Sequence, residues 1–195
     1  MKKLNFIIKY GLALLLLSFY SCESWLNVTP SDRLSEEMLF NDREGFVKAL
    51  NGVYIELNTN ELYGRNLTAG ALDVMGQYYS VASSSHAFYN YGGLVYTGND
   101  EKALFDNMWQ KCYAVIACCN TIIEKCDENK AGLSPVWKGS IKGEALALRA
   151  MLHFDMLRLF GPLTSELDKE SIPYQTNSDQ TVTPLLSGSE VIGLI

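Results

Sequence analysis

Covalent or acid–base chemistry needs reactive side chains within reach of one another, and this chain places few of them that way. Its two histidines are His86 and His153. His153 stands two positions from Asp155, so on a helix the two side chains leave from different faces, and no nucleophile lies beside them. A satisfied core histidine and an ion pair from Asp155 to Arg158 are the expected roles. The paired acids Glu36 with Glu37 and Asp127 with Glu128 fall in turns and at helix ends, which gives no support to a two-carboxylate glycosidase. Cys112, Cys119 and Cys126 recur every seven residues. That spacing puts them on one helix face, where free cysteine behaves as a small apolar residue, and Cys118 is grouped with them as core. Neighbours along one helix do not reach disulfide geometry. With no CxxC pair and two separated histidines, no metal site is expected. The residues predict no cofactor and no enzyme.

The densest collection of recognition side chains is aromatic. Between Tyr63 and Asn99 the chain loses helical periodicity and fills with Ser, Gly and Tyr. Tyr78, Tyr79, His86, Phe88, Tyr89, Tyr91 and Tyr96 lie there, with Asp73, Asn90 and Asn99 among them. Loops of this length without regular structure are functional or disordered, and the aromatic content speaks against disorder. Some of these rings must also plug the loop onto its neighbours.

Helices must hold that loop. Gly143 to Pro162 strings strong helix formers between two glycines, and its apolar residues cover most of the circumference, so neighbours on two sides are predicted. Asn41 with Glu44 makes a capping-box pattern, and Phe46, Leu50, Val53, Tyr54 and Leu57 continue one face to about Asn58. Helical periodicity resumes near Asp100, and Leu104 to about Cys126 define the broad buried face of a second helix, with Trp109 and Tyr113 as packing residues. Ser134 and Pro135 supply the N-cap and first residue of the helix that runs into Gly143–Pro162. A polar connection, Ile172-Pro173-Tyr174 and a Thr/Ser/Gln-rich loop follow. Ser187 or Ser189 then caps a last helix that stops at Ile195 after two turns, so the chain reads as the first part of a longer product.

Length and composition are those of a folded domain: 195 residues, 48% hydrophobic and 19% charged. Met1-Lys2-Lys3, an apolar run from Tyr10 to Tyr20, and Ser21-Cys22 form a signal segment too short to span a bilayer. Removing Lys2, Lys3 and Lys9 with it would take the formal charge from −6 to −9. Lysines and arginines are scattered elsewhere, which excludes the phosphate-neutralising patch of a nucleic-acid binder.

Ser21-Cys22 resembles a bacterial lipoprotein signal, with Cys22 as the lipidated first residue. The chain as a whole resembles the N-terminal part of a SusD/RagB-family outer-membrane lipoprotein. The resemblance is carried by that signal, by Trp25-Leu26-Asn27-Val28-Thr29-Pro30, and by Phe40 with Ala49-Leu50-Asn51-Gly52-Val53-Tyr54. It continues in Trp109, Tyr113, Ile116 and Asn120, in Gly143-Glu144-Ala145 with Leu148-Arg149-Ala150, and from Phe154 through Phe160-Gly161-Pro162 to Ile172-Pro173-Tyr174. It implies an all-α fold, a tetratricopeptide-like helical repeat array with long irregular loops, incomplete at its C-terminus. The domain layout becomes residues 1–21 signal peptide, 22–34 lipidated tether and 35–195 helical domain.

The resemblance further implies a cell-surface, lipid-anchored binder of oligosaccharide or polysaccharide that serves a TonB-dependent, SusC-like outer-membrane transporter and is not a hydrolase. Sugars bound without cleavage need aromatic platforms and a few polar groups. On that reading the candidate ligand contacts are Asp73, Tyr78, Tyr79, His86, Phe88, Tyr89, Tyr91, Tyr96 and Asn99. A lipid-anchored helical scaffold binding a protein or peptide is the alternative.

Overall fold

A computed structural model describes residues 35–179 and 181–195. The signal segment, Cys22 and the tether lie outside the described residues. The chain is organised by two long helices, α5 (Asn99–Glu128) and α6 (Pro135–Phe160). Before them come α1 (Glu36–Leu39), α2 (Arg43–Leu57), α3 (Ala71–Met75) and α4 (Tyr89–Gly92). After them come β1 (Glu170–Pro173), β2 (Leu185–Ser187) and α7 (Gly188–Leu194). The fold is mostly helical, as expected, with the addition of one two-stranded antiparallel ribbon pairing Glu170 with Ser187 and Pro173 with Leu185.

The hairpin of α5 and α6 carries the core. Met108, Cys112, Val115, Ile116, Cys119, Ile122 and Cys126 are buried along α5 and face Ile141, Ala145, Leu148, Leu152 and Met156 of α6. The antiparallel register shows in its cross-helix contacts: Trp109 packs edge-on to Phe160 at 5.0 Å, Asn120 meets Arg149 at 2.8 Å, and Lys142 meets Asp127 at 2.5 Å. Cys118 departs from expectation. Of the four cysteines among the described residues three are buried, but Cys118 falls on the outer side of α5 and is exposed, because it precedes the seven-residue row by one position.

Local chemistry fixes the ends of the elements. Ser134 accepts from the Trp137 amide, with Pro135 in the first turn of α6, and Gly161 closes that helix. Ser187 and Glu190 form a reciprocal capping box at α7, which selects Ser187 over Ser189. At α2 the cap is Asp42 and not Asn41: the Asp42 carboxylate accepts from the Gly45 amide at 2.8 Å. Gly45 is obligatory there, since a Cβ would lie 1.5 Å from the Leu39 carbonyl oxygen. That close approach of the entering chain sets the helix start one residue later than the pattern suggests.

Helix α6 has neighbours on several sides, α5, α2, β1 and α7. It is nonetheless not enclosed. Met151 and Phe154 stay 38% and 46% exposed on one face, so the prediction of packing on two sides holds for most of the helix and fails along that stripe. His153 is fully buried and satisfied, its Nδ1 2.9 Å from the Arg149 carbonyl and its Nε2 accepting from the Gln175 amide at 3.0 Å. Burial of the ring, the main cause, holds its pKa down at about 4. Trp109 and Tyr113 pack the hairpin, and the Tyr113 hydroxyl donates to the Pro173 carbonyl, which ties β1 to α5.

Candidate functional site

The segment between α2 and α5 is not one loop but a chain of turns punctuated by α3 and α4. Its geometry begins at the C-terminus of α3. Gln77 has φ 59°, the left-handed conformation, and the Gln77 and Tyr78 amides reach back to the Val74 and Asp73 carbonyls at 3.1 and 3.0 Å. This is a Schellman ending, which normally uses glycine at the left-handed position. Gln77 tolerates it because its side-chain amide donates to the Gly92 carbonyl at 2.9 Å and to the Val74 carbonyl at 3.3 Å, stapling α3 to α4.

The consequence is the placement of Tyr78. Its ring lies against Gly76, where an added Cβ would come within 3.1 Å of Cδ2, and the residue is 83% exposed. A flat ring supported beneath and bare above forms one lip of a cleft of about 540 Å³. Asp73, Tyr63, Thr68, Asp155 and Arg158 supply its polar wall, and Leu67, Leu72 and Leu159 its apolar lining. The Tyr63 hydroxyl donates to Asp155 Oδ2 at 2.5 Å, and Arg158 donates to Asp155 Oδ1 at 3.0 Å. Burial and the adjoining Asp155 push the Tyr63 phenol pKa strongly upward, so it stays a protonated donor. The Asp73 carboxylate makes no hydrogen bond among the described residues.

The other aromatic candidates divide by environment. Tyr91 is buried against Ala71 and Val74, with Phe88 and Phe105 edge-on at 5.8 and 6.0 Å. Tyr96 packs edge-on to Phe105 at 5.5 Å. The Tyr79 hydroxyl donates to the Ala69 carbonyl and latches the turn before α3. Tyr89 and His86 are exposed outside the cleft lining, and His86 Nδ1 accepts from the Phe88 amide at 3.1 Å. Asn99 is the exposed first residue of α5. The structure therefore brings together Asp73 and Tyr78, and adds Tyr63, Thr68, Asp155 and Arg158, which sequence reasoning did not place at a site. The available signal was the three-residue spacing of Asp155 and Arg158 on α6, one helix face.

Tyr78 presents an apolar face to solvent beside two carboxylates and a guanidinium with free N–H groups. That arrangement suits a ligand with apolar faces and many hydroxyls. Among the described residues, no group of three His, Cys, Asp or Glu side chains could hold a metal ion, and no helix is long and apolar enough to cross a membrane.

A family model, SusD-like, described as starch-binding and associating with the outer membrane, matches residues 24–187. The chain belongs to the SusD-like family. Relatives in this family include SusD-like protein P2 of Formosa agariphila, 25% identical over 166 residues that cover 83% of this chain and 30% of that protein. SusD-like protein P38 of the same organism is 26% identical over 192 residues, covering 90% of this chain and 32% of that protein. SusD-like protein P25, also from that organism, is 23% identical over 206 residues, covering 95% and 36%. The chain thus spans about a third of the length of the curated relatives it matches. No solved structure matches it significantly.

Proposed function

We propose that the chain belongs to a cell-surface glycan-binding lipoprotein, anchored through Cys22, that delivers oligosaccharide or polysaccharide to a TonB-dependent, SusC-like transporter in the outer membrane. Family membership supports the glycan and the outer membrane. The Tyr78 cleft carries the reading at residue level, because a supported, exposed ring facing Asp73 and Arg158 is what a pyranose needs. Binding without hydrolysis fits the same geometry. Asp155 already accepts hydrogen bonds from Tyr63 and Arg158, which leaves it as a positioning group and not as one of two unengaged acids flanking a scissile bond.

Affinity electrophoresis of the full chain in detergent, through gels containing starch and then other neutral polysaccharides, tests the reading. Retardation by at least one is expected, with weaker retardation of Tyr78→Ala. Migration unaffected by every polysaccharide would overturn it. The scaffold reading draws on the exposed Met151–Phe154 stripe of α6. It would be favoured if glycan binding failed and Phe154→Ser abolished a protein contact.

A further inference from the structure

The donors and acceptors of the Tyr78 cleft are unevenly spent. The Tyr63 hydroxyl gives its proton to Asp155 Oδ2 at 2.5 Å, and the Thr68 hydroxyl shares its own between the Tyr63 and Arg65 carbonyls at 3.0 and 3.2 Å. The Gly76 and Tyr78 amides are tied to the Leu72 and Asp73 carbonyls at 2.7 and 3.0 Å. The side-chain donors left over are the part of Arg158 not turned to Asp155 and the Tyr78 hydroxyl at the lip. Acceptors remain in larger number. A hydroxyl oxygen keeps lone pairs after donating, and the Asp73 carboxylate accepts no hydrogen bond among the described residues.

The charges are uneven in the same direction. Asp155 and Arg158 neutralise each other at 3.0 Å, which leaves Asp73 as the carboxylate of the cleft with no cation paired to it among the described residues. The two signs also differ in depth. The Asp155 side chain is 16% exposed against 61% for Arg158, and Asp73 is half-buried, so solvent and salt screen the guanidinium most. Arg65 brings no second cation to the wall: it donates to Asn66 at 3.1 Å, lies 5.8 Å from the Phe88 ring centroid, and is not part of the cleft lining.

We propose that the cleft selects its sugar by charge, with Asp73 as the specificity-determining residue: it admits pyranoses that bring hydroxyls or an ammonium group and rejects those that bring a carboxylate or a sulfate. A hydroxyl can donate to Asp73 in a charge-assisted hydrogen bond, and an ammonium group brings three donors. A uronate or a sulfate ester brings only acceptors at that group, to a wall whose own donors are mostly spent. It also sets like charge against an uncompensated carboxylate, and such a mismatch is what separates one ligand from its close relative. The chain's formal charge of −6 acts in the same sense at longer range. The proposal rests on the glycan-binding reading and names the class of glycan that the same cleft takes.

Calorimetric titration of the full chain in detergent tests this with three forms of one neutral hexose oligosaccharide that the wild type binds. They are the parent, the product of oxidising its primary hydroxyls to carboxylates, and the derivative with primary amines on the same carbons. Acid and amine change the same position, so their ratio reads charge more than bulk. The wild type should bind the amine about tenfold more tightly than the acid, by a margin that shrinks as salt is raised to about 0.5 M. Asp73→Asn keeps the size of the side chain and one acceptor, and should remove most of that margin with an unchanged melting temperature. Arg158→Gln, which takes the cation from the wall, should widen it. If the wild type binds acid and amine alike, or if Asp73→Asn leaves the margin where it was, selection by Asp73 is wrong while the cleft stands. If the wild type binds no oligosaccharide in any form, the glycan reading falls, and this proposal with it.

Discussion

The Tyr63 hydroxyl lies 2.5 Å from Asp155 Oδ2, joining the turn after α2 to the outer part of α6 across the floor of the cleft. Asp155 is thereby held from two sides, by Tyr63 and by Arg158. A hydrogen bond to a charged, half-buried group contributes about 1–2 kcal/mol, so Tyr63→Phe should lower stability by that amount. A double-mutant cycle with Asp155→Ala should return a coupling of about 1 kcal/mol in urea denaturation. Additive effects would show that the contact does not organise the floor.

Aromatic substitutions in the 63–99 segment should split by environment. Tyr91→Ala removes a buried ring from the small cluster over Ala71 and Val74, and should cost about 3 kcal/mol of stability. Tyr78→Ala removes an exposed ring and should leave the denaturation midpoint unchanged. Tyr79→Phe, which loses the latch to Ala69, should affect stability more than glycan affinity. Circular dichroism melts of the three variants check the ranking.

His153 makes stability pH-dependent in a defined window. Its folded pKa is about 4 against an ordinary 6.5, so the ring is neutral in the fold. Between these values the unfolded chain binds a proton that the folded chain refuses, so stability falls as pH drops from 6.5 towards 4. The full loss is about 3 kcal/mol. His153→Gln, which can still donate to Arg149 and accept from Gln175, should flatten this part of the profile. An equally steep decline in that variant would assign the pH dependence to other groups.

The thiols give a direct reading of α5 packing. Cys112, Cys119 and Cys126 are buried whereas Cys118 is exposed; desolvation raises all four thiols, with Cys119 pushed up to about 12, so accessibility is what sets them apart. Maleimide labelling at pH 8 followed by peptide mapping should therefore find Cys118 modified first. The other three should react only in denaturant. Comparable rates at Cys119 and Cys118 would contradict the assigned helix face.

What was legible in the sequence follows from how local its causes are. Ser134-Pro135 and Gly161-Pro162 bound α6 because capping chemistry acts within one turn, and the seven-residue spacing of cysteines located the α5 face. The choice of Asp42 over Asn41 was not local, since it depends on the Leu39 carbonyl pressing on Gly45. Strands of three and four residues such as β1 and β2 are too short for an alternating pattern to show. In the 63–99 segment the residue types named the aromatic candidates, but whether a ring is platform or plug depends on a left-handed Gln77. Glutamine does not announce that conformation. Nor could the sequence show that Tyr63, Asp155 and Arg158 meet Tyr78, because the hairpin closes that distance in three dimensions.

The role proposed for the Tyr78 cleft is to hold glycan. The most direct measurement is calorimetric titration of the full chain in detergent with a linear neutral oligosaccharide cut from the polysaccharide that retards it, comparing wild type with Asp73→Ala and Tyr78→Ala. Affinity should fall at least tenfold in each variant, about 1.4 kcal/mol, with melting temperatures unchanged. Wild-type affinity retained in both variants would contradict the assignment.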